Sequence, residues 1–403
     1  MITPGIQKDR QPTCPYAKEC GGCQLQNLHY EEQLAYKQRR VEALMDGLCR
    51  PEPIVGMSHP WHYRNKVQAA FGYDPRRGIV SGIYRPASHR IVPVERCLIE
   101  DETAHAIVGS VRSLMQSFKI MAYDERRGTG FLRHVLVRRG FATGQIMVVL
   151  VGISPVFPAG KPFAAKLAQL HPQITTVVLN INDRFGPVVL GNREKVLYGP
   201  GSVEDTLCGL TFRLSTRSFY QVNSIQTEIL YNLAMDYAAL TGTEAVLDAY
   251  CGIGTIGLIA SRHARQVIGV ELNRDAVHDA IYNARRNAVE NCRFYTGDAG
   301  RFMEELAQDR LPTDVVFLDP PRAGSDPRFL SSLLRVKPKK IVYISCNPES
   351  LARDLRVLVG GGYTVARARP VDMFPHTEHI ETVCLLTSKP VNLLHHYTQP
   401  LLK

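Results

Sequence analysis

Apolar positions along the chain follow three successive patterns. Between residues 30 and 48, Leu34, Val41, Leu44, Met45 and Leu48 recur among charged residues at helical spacing, which predicts one amphipathic helix. Residues 54–205 hold short β-branched and aromatic runs, at 66–73, 79–84, 134–139, 145–151 and 175–180, separated by Gly, Pro and charge. That texture predicts a mainly antiparallel sheet, and helical stretches at 103–118 and 162–170 make the segment α+β. After Thr216 strands and helices alternate strictly, with strands expected at 245–248, 266–271, 293–298, 315–319 and 341–346, the pattern of a doubly wound parallel sheet. Two further strands, 364–368 and 381–386, have no helix between them, so they are expected to lie antiparallel.

A length of 403 residues exceeds what one core organises. The chain is therefore divided into a segment 1–53 with a cysteine cluster and a linking helix, a β-rich domain 54–205, an α/β domain 206–390 and a tail 391–403. Hydrophobic residues at 45% and charged residues at 21% fit a folded chain and exclude a disordered one. The apolar stretch 146–153 is far shorter than the roughly 18 residues of a membrane span. Residues 1–10 are polar and lack the apolar core of a signal peptide, so a cytoplasmic chain is expected, in a reducing compartment where its ten cysteines stay free for metal or chemistry.

Charge is uneven. Lys and Arg number 48 against 38 Asp and Glu, and residues 61–140 alone hold 14 basic against 7 acidic side chains. A basic surplus concentrated in one fifth of the chain points to a polyanion. Arg64, Lys66, Arg76, Arg77, Arg85, Arg90, Arg126, Arg127, Arg133, Arg138 and Arg139 alternate there with Trp61, Tyr63, Phe71, Tyr73, Tyr84 and Phe131, so charges are expected to track phosphates and rings to stack on splayed RNA bases.

The five parallel strands end in Asp248, Glu271, Asp298, Asp319 and Cys346. Ligands of open α/β sheets bind beyond the carboxyl ends of the strands, so these side chains are expected to converge on one crevice. Gly252, Gly254 and Gly257 follow Asp248 in a loop that suits close approach to a ligand, and Glu271 is placed to hold a ribose hydroxyl. A dinucleotide and S-adenosylmethionine both fit the loop. The acid ahead of it favours the cationic methyl donor over a pyrophosphate. Cys346 precedes Asn347 and Pro348 at the start of a predicted helix, where a thiolate is expected to be stabilised and a nucleophile to form. Cys14, Cys20 and Cys23 supply three soft metal ligands on one short loop, for zinc or for an iron-sulfur cluster.

Ser218-Phe219-Tyr220-Gln221-Val222-Asn223, the loop 248–252, Asp319-Pro320-Pro321-Arg322-Ala323-Gly324, Ser345-Cys346-Asn347-Pro348 and His379-Ile380-Glu381 occur together in this order. The chain thereby resembles the RNA uracil-C5 methyltransferases over residues 14–387. The resemblance implies an α/β Rossmann-like class I methyltransferase domain beside a β-rich α+β domain and a small N-terminal iron-sulfur segment. It implies S-adenosylmethionine binding by Gln221, Tyr250, Thr255, Glu271, Asp298 and Asp319, Cys346 as nucleophile and Glu381 as proton acceptor. It also implies a [4Fe-4S] cluster on Cys14, Cys20, Cys23 and, as distant fourth ligand, Cys97. Such a cluster is similar to that of the branch that modifies 23S rRNA. Many of its members carry a small β-barrel ahead of the cysteines, which here begin at residue 14. The expectation is a monomeric 23S rRNA (uracil-5-)-methyltransferase. The same reaction on tRNA and a non-catalytic iron-sulfur RNA-binding protein are the alternatives.

Overall fold

The computed structural model describes residues 13–186, 188–309 and 312–388, so the expected tail and the polar first ten residues lie outside the described residues. The first sheet comprises β1 (Lys66–Asp74), β2 (Gly78–Tyr84), β3 (Ile91–Pro93), β4 (Leu132–Arg139), β5 (Ile146–Gly152), β6 (Ile174–Ile181) and β7 (Arg193–Tyr198). Its order is β3-β2-β1-β4-β5-β6-β7, antiparallel throughout except for the parallel pair β5 and β6. The helix Gly160–Leu170 supplies the crossover that this parallel pair requires. It covers one face of the sheet together with the helix Glu102–Ser117, burying Ile107, Val111, Met115, Phe163 and Leu167 against Val135, Val137 and Val148.

A hairpin of β8 (Val203–Leu207) and β9 (Leu210–Leu214) follows, turning through Cys208 and Gly209 with φ of 50° and 72°, the left-handed pair that a tight hairpin needs. The expected boundary at 205/206 cuts through β8. Leu207, Leu210, Phe212 and Leu214 pack in a core shared by Leu136, Met147 and Val149 of the first sheet and by the α/β unit.

The second sheet contains β10 (Ala245–Asp248), β11 (Gln266–Glu271), β12 (Cys292–Thr296), β13 (Val315–Leu318), β14 (Lys340–Ser345), β15 (Tyr363–Val371) and β16 (Glu381–Ser388). Its order is β12-β11-β10-β13-β14-β16-β15. β10 to β14 are parallel, and β16 runs antiparallel between β14 and β15. The first five strands thus point their carboxyl ends to one edge, and β16 brings its amino end to the same edge.

The helix Tyr30–Leu44 is not a free linker. Val41 and the following Met45 enter the core of the second sheet beside Leu351, Leu355 and Tyr363. On the same face Lys37, fully buried, reaches Asp372 at 2.5 Å, and Gln33 donates to the Leu28 carbonyl. Periodicity of apolar residues could not reveal a helix that docks through a buried charge pair.

Candidate active site and cofactor cavity

A cavity of about 830 Å³ opens at the carboxyl edge of the second sheet. Gln221, Tyr250, Glu271, Asp298, Asp319, Cys346 and Glu381 all line it. The loop after β10 approaches it through Gly252, whose φ of 54° is left-handed. Glu271 accepts from the Gly252 N–H at 3.1 Å and the Asn273 N–H at 2.8 Å, which fixes both carboxylate oxygens at the rim. Asp298 accepts from the Arg301 N–H at 2.9 Å and stays exposed. Asn65 donates to the Gln221 carbonyl at 2.9 Å and ties that segment to the first sheet.

Two expected contributors lie elsewhere. Asp248 does not reach the crevice: it is fully buried and accepts from the Gly257 N–H at 2.8 Å, bracing the glycine loop from behind. Thr255 opens the helix Thr255–Ala260 outside the cavity lining, with its hydroxyl paired to that of Tyr231. Burial pushes the Asp248 carboxyl up to about 7, aided by Asp319 and Glu271, and one carboxyl oxygen has no partner among the described residues. A carboxyl raised in the folded state takes up a proton on folding between about pH 4 and 7, so stability falls across that window as pH rises. Asp248→Asn is therefore expected to raise the melting temperature by a few degrees at pH 8 and to leave it unchanged near pH 4. A gain that is equal at both pH values would contradict this.

Cys346 and Glu381 are brought together by register. Ser345 pairs with Thr382 across the antiparallel β14 and β16, so the next residue on one strand and the preceding residue on the other meet at the cavity floor. Asn347 caps the helix Pro348–Gly360 through the Glu349 N–H, as its sequence predicts. The thiol is nevertheless not acidified. Burial pushes Cys346 up to about 11, Glu381 and Asp319 add to the rise, and Arg322 opposes it. Burial, with the two carboxyls, outweighs Arg322 there. Glu381 is 2% exposed with one oxygen unpartnered among the described residues, and burial and Asp319 hold its carboxyl well above the usual range. Burial also raises Asp319, to about 7. Three acidic groups that resist ionisation share one cavity, an arrangement that a cationic ligand relieves.

Arg322 and His379 lie in two of the family motifs, and the chain alone marks His379 only as a polar loop residue, with His376 and Glu378, and assigns Arg322 no role. Arg322 approaches the His379 Nδ1 at 2.8 Å beside the Cys346 thiol, and Asn347 donates to the Arg322 carbonyl. His376 is buried and stacked on Trp61 with ring centroids 3.8 Å apart. Four expected RNA contacts are also interior. Arg133 pairs with Glu125 and the Asn182 and Arg184 carbonyls, Arg138 donates to the Ser218 carbonyl, and Tyr63 and Phe71 belong to the core. Arg76, Arg77, Arg85, Arg90, Arg126 and Arg127 are exposed.

Cys14, Cys20, Cys23 and Cys97 line a second cavity, of about 370 Å³, which also borders Arg64, Lys66 and Gln68. Among the described residues no group of three or more His, Cys, Asp or Glu side chains is set to hold a metal ion. No helix among them is long and apolar enough to cross a membrane.

The profile of the tRNA (uracil-5-)-methyltransferase family matches residues 29–389. The chain belongs to this family. An uncharacterized RNA methyltransferase of Halalkalibacterium halodurans is 42% identical over 381 residues, covering 93% of this chain and 83% of the relative. Another, of Caldanaerobacter subterraneus, is 42% identical over 379 residues, covering 93% and 84%. The tRNA (uracil-54, C5)-methyltransferase of Pyrococcus abyssi, solved with S-adenosyl-L-homocysteine, superposes with a TM-score of 0.76 at 27% identity, over 91% of this chain and 86% of that one. As a member, this chain is an S-adenosylmethionine-dependent RNA methyltransferase of the uracil-5 class, and its substrate is RNA.

Proposed function

We propose that the chain methylates C5 of a uridine in 23S rRNA, with Cys346 adding to C6 and Glu381 removing the C5 proton. The juxtaposition of these two residues by the β14 and β16 register is the observation that carries the reading. Gln221, Tyr250, Glu271, Asp298 and Asp319 hold the methyl donor in the same cavity, with Glu271 on the ribose and the acids facing the cationic end. Thr255 acts from behind, through the loop it follows. The target uracil leaves its stack to reach Cys346, as enzymes that act on a base require.

In this reading Cys14, Cys20, Cys23 and Cys97 hold the [4Fe-4S] cluster. Four thiols border one cavity and are the ligand type such a group takes, although among the described residues no three of them are set to hold a metal ion. Methyl transfer moves no electron, so the cluster supplies a rigid anchor for the N-terminal segment beside the RNA surface. Protein purified without oxygen is expected to contain iron and sulfide in equal amounts. Stoichiometric zinc would contradict the cluster.

The cysteine set supports ribosomal RNA, and likeness to the Pyrococcus abyssi enzyme supports a second reading, the same reaction on tRNA. Mapping 5-methyluridine in cells with and without the gene separates them. Loss of one site in 23S rRNA is expected, loss confined to tRNA supports the second reading, and an unchanged map contradicts both.

A further inference from the structure

The first sheet has a second face, turned away from its two helices. At one end Leu136, Met147, Val149 and Val151 on this face pack against the α/β unit. At the other end, where β2, β1 and β4 run side by side, the face opens into a separate cavity of about 400 Å³. Ala70 pairs with both Gly82 and His134, so Gln68, Tyr84 and His134 project from the same side.

His134 is 7% exposed, and its Nδ1 has no hydrogen-bond partner among the described residues. Such a group calls for a ligand, because an unpaired buried polar atom is costly. Burial and Arg133 keep the ring neutral, with the imidazole lowered to about 4, so it offers one donor and one acceptor nitrogen. Gln68 is exposed at the same wall and offers both functions through its amide. Tyr84 stands edge-on to His134, with ring centroids 6.1 Å apart, and remains 39% exposed. An open aromatic ring above polar groups of mixed donor and acceptor character suits a planar heterocycle with a pairing edge. Arg85 and Arg90 are exposed on the turn that carries Tyr84, and Arg126 and Arg127 follow Glu125 of the same cavity, supplying charge for a phosphate backbone.

The cavity also shares walls with the others. It shares Gln68, Gly82 and Ile83 with the cysteine cavity, which in turn shares Arg64 with the catalytic one. Arg64, just ahead of β1, and Lys66 and Gln68 on it alternate along the chain, spanning about 13 Å if that segment is extended.

We infer that the pocket bounded by Tyr84, His134 and Gln68 holds a second nucleobase of the RNA substrate, on the strand that leaves the catalytic cavity across Arg64 and Lys66. The inference rests on the reading of the catalytic cavity as the seat of the target uridine. Tyr84 stacks on the base, and His134 and Gln68 read its edge. Nothing in methyl transfer requires this pocket, so it acts on affinity and choice of site.

The test compares wild type, Tyr84→Ala and Tyr84→Phe in two assays. One is filter binding of labelled 23S rRNA and bulk tRNA from cells lacking the gene; the other is steady-state methylation of the same RNAs. Loss of one stacked base is expected to weaken binding and raise KM about tenfold in Tyr84→Ala, with kcat and S-adenosylmethionine affinity unchanged, while Tyr84→Phe stays within about twofold of wild type. Wild-type affinity in Tyr84→Ala overturns the pocket, as does a Tyr84→Phe variant as weak as Tyr84→Ala. Should the wild type bind RNA without methylating it, the catalytic reading fails, and the affinity comparison still decides the pocket.

Discussion

Cys346→Ala is expected to abolish methyl transfer while S-adenosylmethionine binding persists. C5 of uracil is too weak a nucleophile to attack the methyl group unaided. A thiolate that adds to C6 pushes the C5–C6 electron pair toward O4, and the resulting enolate carries the electron density that C5 needs. Without the sulfur no enolate forms, and loss of a covalent nucleophile costs on the order of 10⁴-fold to 10⁶-fold in rate. The donor's walls are untouched, because Glu271 and Asp298 are held by backbone N–H groups rather than by the thiol. The variant therefore separates chemistry from binding: calorimetry reads the donor affinity, and transfer of labelled methyl to RNA reads turnover. Turnover within tenfold of wild type would contradict nucleophilic addition.

Glu381→Gln is expected to stop the reaction one step later. After methyl transfer C5 carries both a proton and the new methyl group, and the ring is saturated at C5 and C6. A base must take the C5 proton, whose bonding electrons then restore the double bond and expel the Cys346 thiolate. Glutamine cannot accept that proton. Burial and Asp319 raise the Glu381 carboxyl, so once ionised it is a stronger base than an exposed glutamate. Its free oxygen is available for this step among the described residues. The variant is expected to transfer about one methyl group per enzyme molecule and then to persist as a protein–RNA adduct in denaturing gels. Release of methylated RNA at the wild-type rate would assign proton removal to another group. Asp319, raised to about 7 in the same cavity, would then be the first alternative.

Much of the α/β unit is legible from the chain because its physics is local. Apolar runs buried on both faces mark the parallel strands, and polar residues where those runs end mark the crevice. Four of the five strand-end residues line the cavity. Asp248 escapes because a strand-end carboxylate can cap the glycine loop as readily as face a ligand, and only the Gly257 contact tells which. The proximity of Cys346 and Glu381 depends on which strand inserts beside β14, a long-range choice that no local pattern records. The raised thiol has the same origin, since the helix end is local, while the burial of the thiol and the two carboxyls beside it are set by the tertiary fold. Arg133 and Arg138 face inward for a related reason: a basic residue on a sheet turns into the protein when carbonyls wait for it there. The strand β8 and the edge strand β7 are short, with alternation interrupted by charge, and leave only a weak trace.

RNA carrying 5-fluorouridine tests covalent addition most directly, because fluorine at C5 cannot be removed as a proton is. Incubated with the protein and S-adenosylmethionine, it is expected to leave a fluorinated, methylated pyrimidine nucleotide bonded to the peptide that contains Cys346, found by mass spectrometry after nuclease and protease digestion. A nucleotide on no peptide, together with full methylation of unmodified RNA in the parallel reaction, would contradict the thiol mechanism.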